Sequence, residues 1–119
     1  MKSFHHFAAA TLAAAALTAV SAQEIYRPGN GVSLPTVVTQ VRPEYTSQAK
    51  DARIEGIVGL SAVVLASGAV GEVAVTRSLD SGLDDQAVAA MKQWTFKPGI
   101  KDGKPVAVRI DIQMNFTLK

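Results

Sequence analysis

From residue 106 to residue 118 the chain alternates between apolar and polar or small side chains without a break. Val106, Val108, Ile110, Ile112, Met114, Phe116 and Leu118 share one parity, and Ala107, Arg109, Asp111, Gln113, Asn115 and Thr117 share the other. A period of two over this length predicts a long antiparallel strand with one buried and one solvated face. It would span roughly 40 Å at ~3.3 Å per residue. A second alternation covers residues 57–65. Val58, Leu60, Ala62 and Val64 lie on one face, and Ile57, Gly59, Ser61, Val63 and Leu65 on the other. Ala66-Ser67-Gly68-Ala69 then reads as a turn, with Gly68 free to take a positive φ. Residues 70–78 read as the returning strand. Val73 and Val75 share a parity that Val70 breaks, so a bulge is expected near Gly71. The second face of this hairpin is also partly apolar, which calls for something to cover it.

Two stretches have helical spacing. Residues 43–54 predict a short helix, with Thr46 as N-cap and Tyr45, Ala49 and Ala52 on one face. Gly56 is expected to end it. Residues 81–94 predict a second helix. Ser81-Gly82-Leu83-Asp84 fits a capping pattern, with acids in the first turn complementing the helix dipole. Leu83, Ala87, Val88, Met91 and Trp94 form its inward stripe. Residues 95–105 contain Pro98, Gly99, Gly103 and Pro105 and read as a loop. Helix, hairpin, helix and strand in that order predict an α+β fold. Two helices would cover one face of a three-stranded antiparallel sheet, and a short extra strand is possible at residues 35–41. Three segments follow: a leader at 1–22, a flexible tether at 23–40 and the folded domain at 41–119. The tether assignment rests on Pro28, Gly29, Asn30, Gly31 and Pro35.

The leader changes the chemistry available. Lys2 is followed by an apolar run from Phe7 to Val20, ending in Val20-Ser21-Ala22. This fits an export signal cleaved after Ala22. The alternative is an uncleaved inner-membrane anchor, for which a run of about 14 residues is short against the ~20 a spanning helix needs. Removing 1–22 leaves 97 of the 119 residues, enough for one modest core. It also leaves 11 basic and 10 acidic residues, interspersed, which argues against nucleic acid as a partner. Both histidines, His5 and His6, go with the leader, and the chain has no cysteine. No disulfide framework is available, and a Ser-His or Cys-His nucleophile pair cannot form. No recognisable catalytic set remains, and no metal or other cofactor is indicated.

Several residues invite a sharper reading. Asp84 and Asp85 could be a metal or acid–base pair, but acids at a helix start usually cap it and offset the dipole. Trp94 and Phe96 could form a stacking platform, but two such aromatics more often belong to a core. Lys97, Lys101 and Lys104 make a small basic loop that could touch acidic partners or lipid headgroups. A solvated loop is the plainer reading.

In order along the chain stand Pro43-Glu-Tyr-Thr-Ser-Gln-Ala49, Ile54-Glu-Gly-Ile-Val58 and Gly68-Ala-Val-Gly-Glu-Val73. Leu83-Asp84, Ala87, Ala90, Trp94-Thr-Phe96-Lys-Pro98 and Gly103-Lys-Pro-Val106 follow. This ordered set, covering about residues 35–119, resembles the TonB C-terminal domain family. Thr46 stands where many members have proline. The resemblance implies a periplasmic module of an energy transducer that binds the short "TonB box" peptide of a TonB-dependent outer-membrane transporter. It also implies an ExbB/ExbD-type inner-membrane complex, reached here through another protein. The last strand would lie at a sheet edge, where the peptide adds beside it. The edge-strand residues are then Val108, Arg109, Ile110, Asp111, Ile112, Gln113, Met114 and Asn115, with Arg109, Asp111, Gln113 and Asn115 facing outward. An open edge can equally pair with a second copy, giving a homodimer and a structural or regulatory cell-envelope role.

Overall fold

The computed structural model describes residues 24–119. The leader expected at 1–22 lies outside the described residues. Seven strands and two helices follow in the order β1 (Ile25–Tyr26), β2 (Thr36–Thr39), α1 (Ser47–Asp51), β3 (Gly56–Val64), β4 (Val70–Arg77), α2 (Ser81–Met91), β5 (Thr95–Lys97), β6 (Gly99–Lys101) and β7 (Lys104–Phe116). The α+β class holds. The sheet is larger than three strands: the main one runs β1-β7-β3-β4, with β6 also on β7, and β2 and β5 form a separate ribbon.

The central pairing is β3 with β7. It is antiparallel and runs in unbroken register from Gly56↔Phe116 to Val64↔Val108. Because opposed residues share a face, Val58, Leu60, Ala62 and Val64 join Val108, Ile110, Met114 and Phe116 in one buried layer. Leu83, Ala87, Ala90 and Met91 of α2 and Ala49 of α1 close over that layer. Trp94 and Phe96 are buried in the same cluster, so the core reading of this pair stands. Their rings lie 6.1 Å apart.

The hairpin β3–β4 turns where expected. Gly68 takes φ +92°, and Leu65 N donates to Ala69 O at 2.8 Å. Between the pairs Ala62↔Val73 and Val64↔Val70, one residue of β3, Val63, opposes two of β4, which places a bulge at Gly71–Glu72. A second shift, between Gly59 and Leu60, had no counterpart in the parity pattern. On the outer face of β3 a polar bridge crosses the sheet. Arg109 reaches over Ser61, donating to its hydroxyl at 3.2 Å, and pairs with Glu72 of β4 at 3.1 Å.

Both helices are shorter than their patterns. Thr46 caps α1, its hydroxyl accepting from Ala49 N at 3.1 Å. Arg53, at φ +56°, closes the helix: Arg53 N donates to Lys50 O, and Ile54 N reaches back to Ala49 O at 2.9 Å. That double bond is a Schellman closure with arginine in the left-handed position, so the helix stops before Gly56. The cap of α2 is Asp80 rather than Ser81. Its carboxylate accepts from Leu83 N at 3.1 Å, and an ionised acceptor at that site outcompetes a hydroxyl one residue on.

Two expected irregular segments are ordered. In the loop at 95–105, Asp102 and Gly103 at positive φ form a two-residue hairpin turn joining β6 to β7. In the tether at 23–40, β1 pairs with the start of β7 and β2 pairs with β5. β2 coincides with the short strand read as possible at residues 35–41. Strands of two to four residues are too short to display a period, and the partners of β1 and β2 are distant in sequence.

Candidate functional site

Along β7 the two edges differ. One is filled from Val108 to Phe116 by β3. β6 pairs with Lys104–Val106, and β1 with Ala107 and Val108. From Arg109 to Phe116 no second strand is paired among the described residues. Successive residues of a strand aim their N–H and C=O groups to opposite edges, so alternate residues in this stretch present unpaired backbone groups.

Seven of the eight residues expected at the edge lie on this open stretch. Arg109 sits at its start, half-buried in the ion pair with Glu72. Ile110 and Met114 are buried, and Ile112 is half-buried, all on the helix-covered face. Asp111, Gln113 and Asn115 are exposed on the other face. Val108 does not belong with them. It is fully buried and is paired both to Tyr26 and to Val64, because a strand from the N-terminal segment occupies that part of the edge.

Beside the far end of the open stretch lies a groove of about 460 Å³. Gln113–Thr117 form one wall and the extended segment Gln40–Pro43, with Tyr45, the other, with Trp94 also lining it. The indole N–H of Trp94 donates to Val41 O at 2.8 Å, which fixes the segment in place. Tyr45 donates its hydroxyl proton to Ile54 O and packs edge-on against Phe116 at 5.5 Å. Burial, and then the negative charge of Glu55, raises the Tyr45 phenol above its ordinary pKa. The neutral donor that holds the wall is therefore kept. The sequence signals for these walls were local, a helix face for Tyr45 and a core stripe for Trp94. Nothing in either placed residues 40–43 opposite residues 113–117.

The acidic pair at α2 divides. Asp85 is exposed, whereas Asp84 is buried and accepts from Leu79 N at 3.0 Å, Asp80 N at 3.4 Å and the Ser78 hydroxyl. Burial pushes its carboxyl up, but the three donors together outweigh burial and hold it below the ordinary carboxylate value. This carboxylate ties the end of β4 to α2.

Comparison with known proteins bears on the family and the fold. Protein TonB of Vibrio cholerae serotype O1 is 39% identical over 90 residues, covering 74% of this chain and 37% of its own length. Protein tonB2 of Pseudomonas aeruginosa is 40% identical over 78 residues, covering 61% of this chain and 29% of its own. The chain thus spans about a third of the length of these curated relatives. A solution NMR structure of the Pseudomonas aeruginosa TonB C-terminal domain superposes with a TM-score of 0.61 at 23% identity, over 76% of this chain and 90% of that one. The family model of the Gram-negative bacterial TonB protein C-terminal matches residues 41–118, and the chain belongs to the TonB C-terminal domain family.

Proposed function

We propose that this domain is a periplasmic docking module of TonB-type energy-coupled transport. The open stretch Arg109–Phe116 receives an extended segment of an outer-membrane transporter by strand addition. The observation that carries this reading is the regular, unpaired edge of β7 lying against the groove walled by residues 40–45 and Trp94. An added strand gains main-chain hydrogen bonds from the edge, and its alternate side chains enter the groove. Five or so such bonds contribute ~3–7 kcal/mol at ~0.5–1.5 kcal/mol each. Association costs at least ~4 kcal/mol. The backbone alone therefore binds weakly, and the groove must supply the rest. Residues 1–22 act as an export leader, and energy reaches the domain from an ExbB/ExbD-type complex through another protein.

The test is capture of partners from detergent-solubilised envelope by the mature chain, alongside the variants Asp111→Pro and Ile112→Pro. Successive amides face opposite edges, so one proline removes a donor to β3 and the other removes a donor on the open edge. The expected outcome is a crossed pair. One variant loses about 1–3 kcal/mol of stability, the cost of a carbonyl left unpaired. The other unfolds like the parent but no longer enriches outer-membrane transporters. If both variants fold and capture transporters like the parent, strand addition at this edge is wrong. Recovery of the chain's own copies alone would assign the edge to self-association.

A further inference from the structure

The open stretch begins abruptly, and what ends it is built from the chain's own N-terminal segment. Ile25 and Tyr26 run parallel to β7 in register with Ala107 and Val108. Continuing that register would set Arg27 beside Arg109 and Pro28 beside Ile110. The chain instead leaves the sheet there, because Pro28 has no N–H to offer and Asn30 and Gly31, both at positive φ, turn it back. Gly29 and Val32 exchange both backbone bonds, at 2.9 and 3.0 Å, which closes a tight hairpin.

This hairpin is held on its return side. Val32 is 7% exposed and bridges to Lys101. Ser33 N donates to Ile100 O at 3.0 Å, and Ile100 N donates to the Ser33 hydroxyl oxygen at 2.8 Å. The Lys101 ammonium lies 5.6 Å from the centre of the Tyr26 ring, within reach of a cation–π attraction. The close approach depends on Gly99. A Cβ there would stand 2.7 Å from Ser33 O and 2.5 Å from a Val108 methyl. A peptide that displaced β1 would replace one two-residue pairing by another, with no net gain in ladder bonds, and would lose the Tyr26–Lys101 contact.

We infer that the β1 hairpin is a register stop: it closes the edge at Val108, so that an added strand pairs only within Arg109–Phe116 and overhangs only past Phe116. The inference rests on the docking reading above and adds to it a limit on the partner. The paired segment is at most the length of that stretch, and residues flanking it are tolerated at one end only.

The experiment uses peptides longer than the open stretch, selected from a random display library against the full chain. Backbone amide exchange is then followed by NMR with and without the selected peptide. The parent is compared with the double variant Ile25→Pro, Tyr26→Pro, which keeps Val32 and Ser33 and so keeps the return side of the hairpin. In the parent, amides within 109–116 are expected to slow about tenfold or more, the change that ~1.4 kcal/mol of bonding gives. Protection at Ile25, Tyr26, Ala107 and Val108 should stay as it is in the free protein. In the double variant, peptide-induced protection should extend to Ala107 or Val108. Loss of protection at Ile25 and Tyr26 when the parent binds peptide would overturn the stop while leaving edge docking intact. An identical protected stretch in parent and double variant would do the same. Peptide binding with no slowing anywhere in 109–116 would overturn the docking reading itself. A Gly99→Ala variant, which loosens the hairpin from the return side, gives the same comparison should the prolines disturb the fold.

Discussion

Replacing Asp84 tests how the sheet is fastened to its helical layer. The carboxylate is 8% exposed and receives three donors, from Ser78, Leu79 and Asp80, which join the end of β4 to the first turn of α2. Hydrogen bonds to an ionised group contribute about 1.5–3 kcal/mol each against ~0.5–1.5 for neutral ones. The Asp80 contact is long, and part of this segment is wet once the side chain is gone. Asp84→Ala should therefore cost about 2–4 kcal/mol, a large share of the ~5–15 kcal/mol that holds a domain. Asp84→Asn keeps one acceptor oxygen and should cost about 1–2 kcal/mol. The pH dependence follows from the depressed carboxyl. A group whose folded pKa lies below its unfolded value, near 3.9 for aspartate, stabilises fully above that value. It loses the contribution as pH falls through the folded pKa, because the unfolded chain binds the proton first. The assay is urea unfolding of parent, Asp84→Ala and Asp84→Asn at pH 7, and again at steps below pH 4. The Asn variant should lose less stability than the parent over the acid steps. A cost below ~0.5 kcal/mol for Asp84→Ala, the range of an inert surface change, would refute the argument. So would an acid slope unchanged by Asp84→Asn.

Two further substitutions probe the turn and the groove. Gly68→Ala should cost at least about 1–3 kcal/mol in urea unfolding, since φ is +92° and the added Cβ would stand 2.2 Å from Phe96 O. A midpoint equal to the parent's would mean that the turn relaxes freely. Trp94→Phe removes the donor to Val41 O and should cost about 1–3 kcal/mol. It should also free residues 40–43, seen as faster amide exchange there, and weaken capture of transporters. Unchanged exchange at those residues would show that the indole does not hold the wall.

The legible parts of this fold are those whose cause is local. The alternation of residues 106–118 fixed β7 because a half-buried strand needs a period of two. The parity break between Val70 and Val73 located a bulge for the same reason. Thr46 was legible as a cap because a hydroxyl before a helical face has few other uses. Asp80 was missed beside Ser81, since both residue types cap and only the carboxylate's charge separates them. The strands β1, β5 and β6 left no period to read, while β2 coincides with the short strand read as possible at residues 35–41. β1 and the β2–β5 ribbon follow from partners such as Lys97 for Thr36 and Ala107 for Ile25, contacts that no short window along the chain contains, whereas β6 pairs with β7 across a two-residue turn. The edge position of β7 came from resemblance rather than from pattern. Where that edge begins did not, because it depends on the pairing of Tyr26 with Val108.

The sheet has two outer edges, and their construction differs in a way that bears on docking. On β4, the strand at the other edge, register slips twice against β3, between Gly59 and Leu60 and between Ala62 and Val64. Each slip leaves β4 with a residue that has no opposite number, which bends the strand and breaks the spacing of its free N–H and C=O groups. An exposed edge treated in this way is a poor template for any further strand, and bulging is a common means of preventing unwanted pairing. The open stretch of β7 has none of this. Its register against β3 is continuous from Val108 to Phe116, so its outward groups keep the regular spacing that an incoming strand requires. Proline and inward-facing charge, two other common protections, are also missing from Arg109–Phe116. A regular edge is an aggregation hazard, and this chain blunts one edge while leaving the other unblunted beside a groove. The asymmetry is what the proposed strand-accepting surface needs.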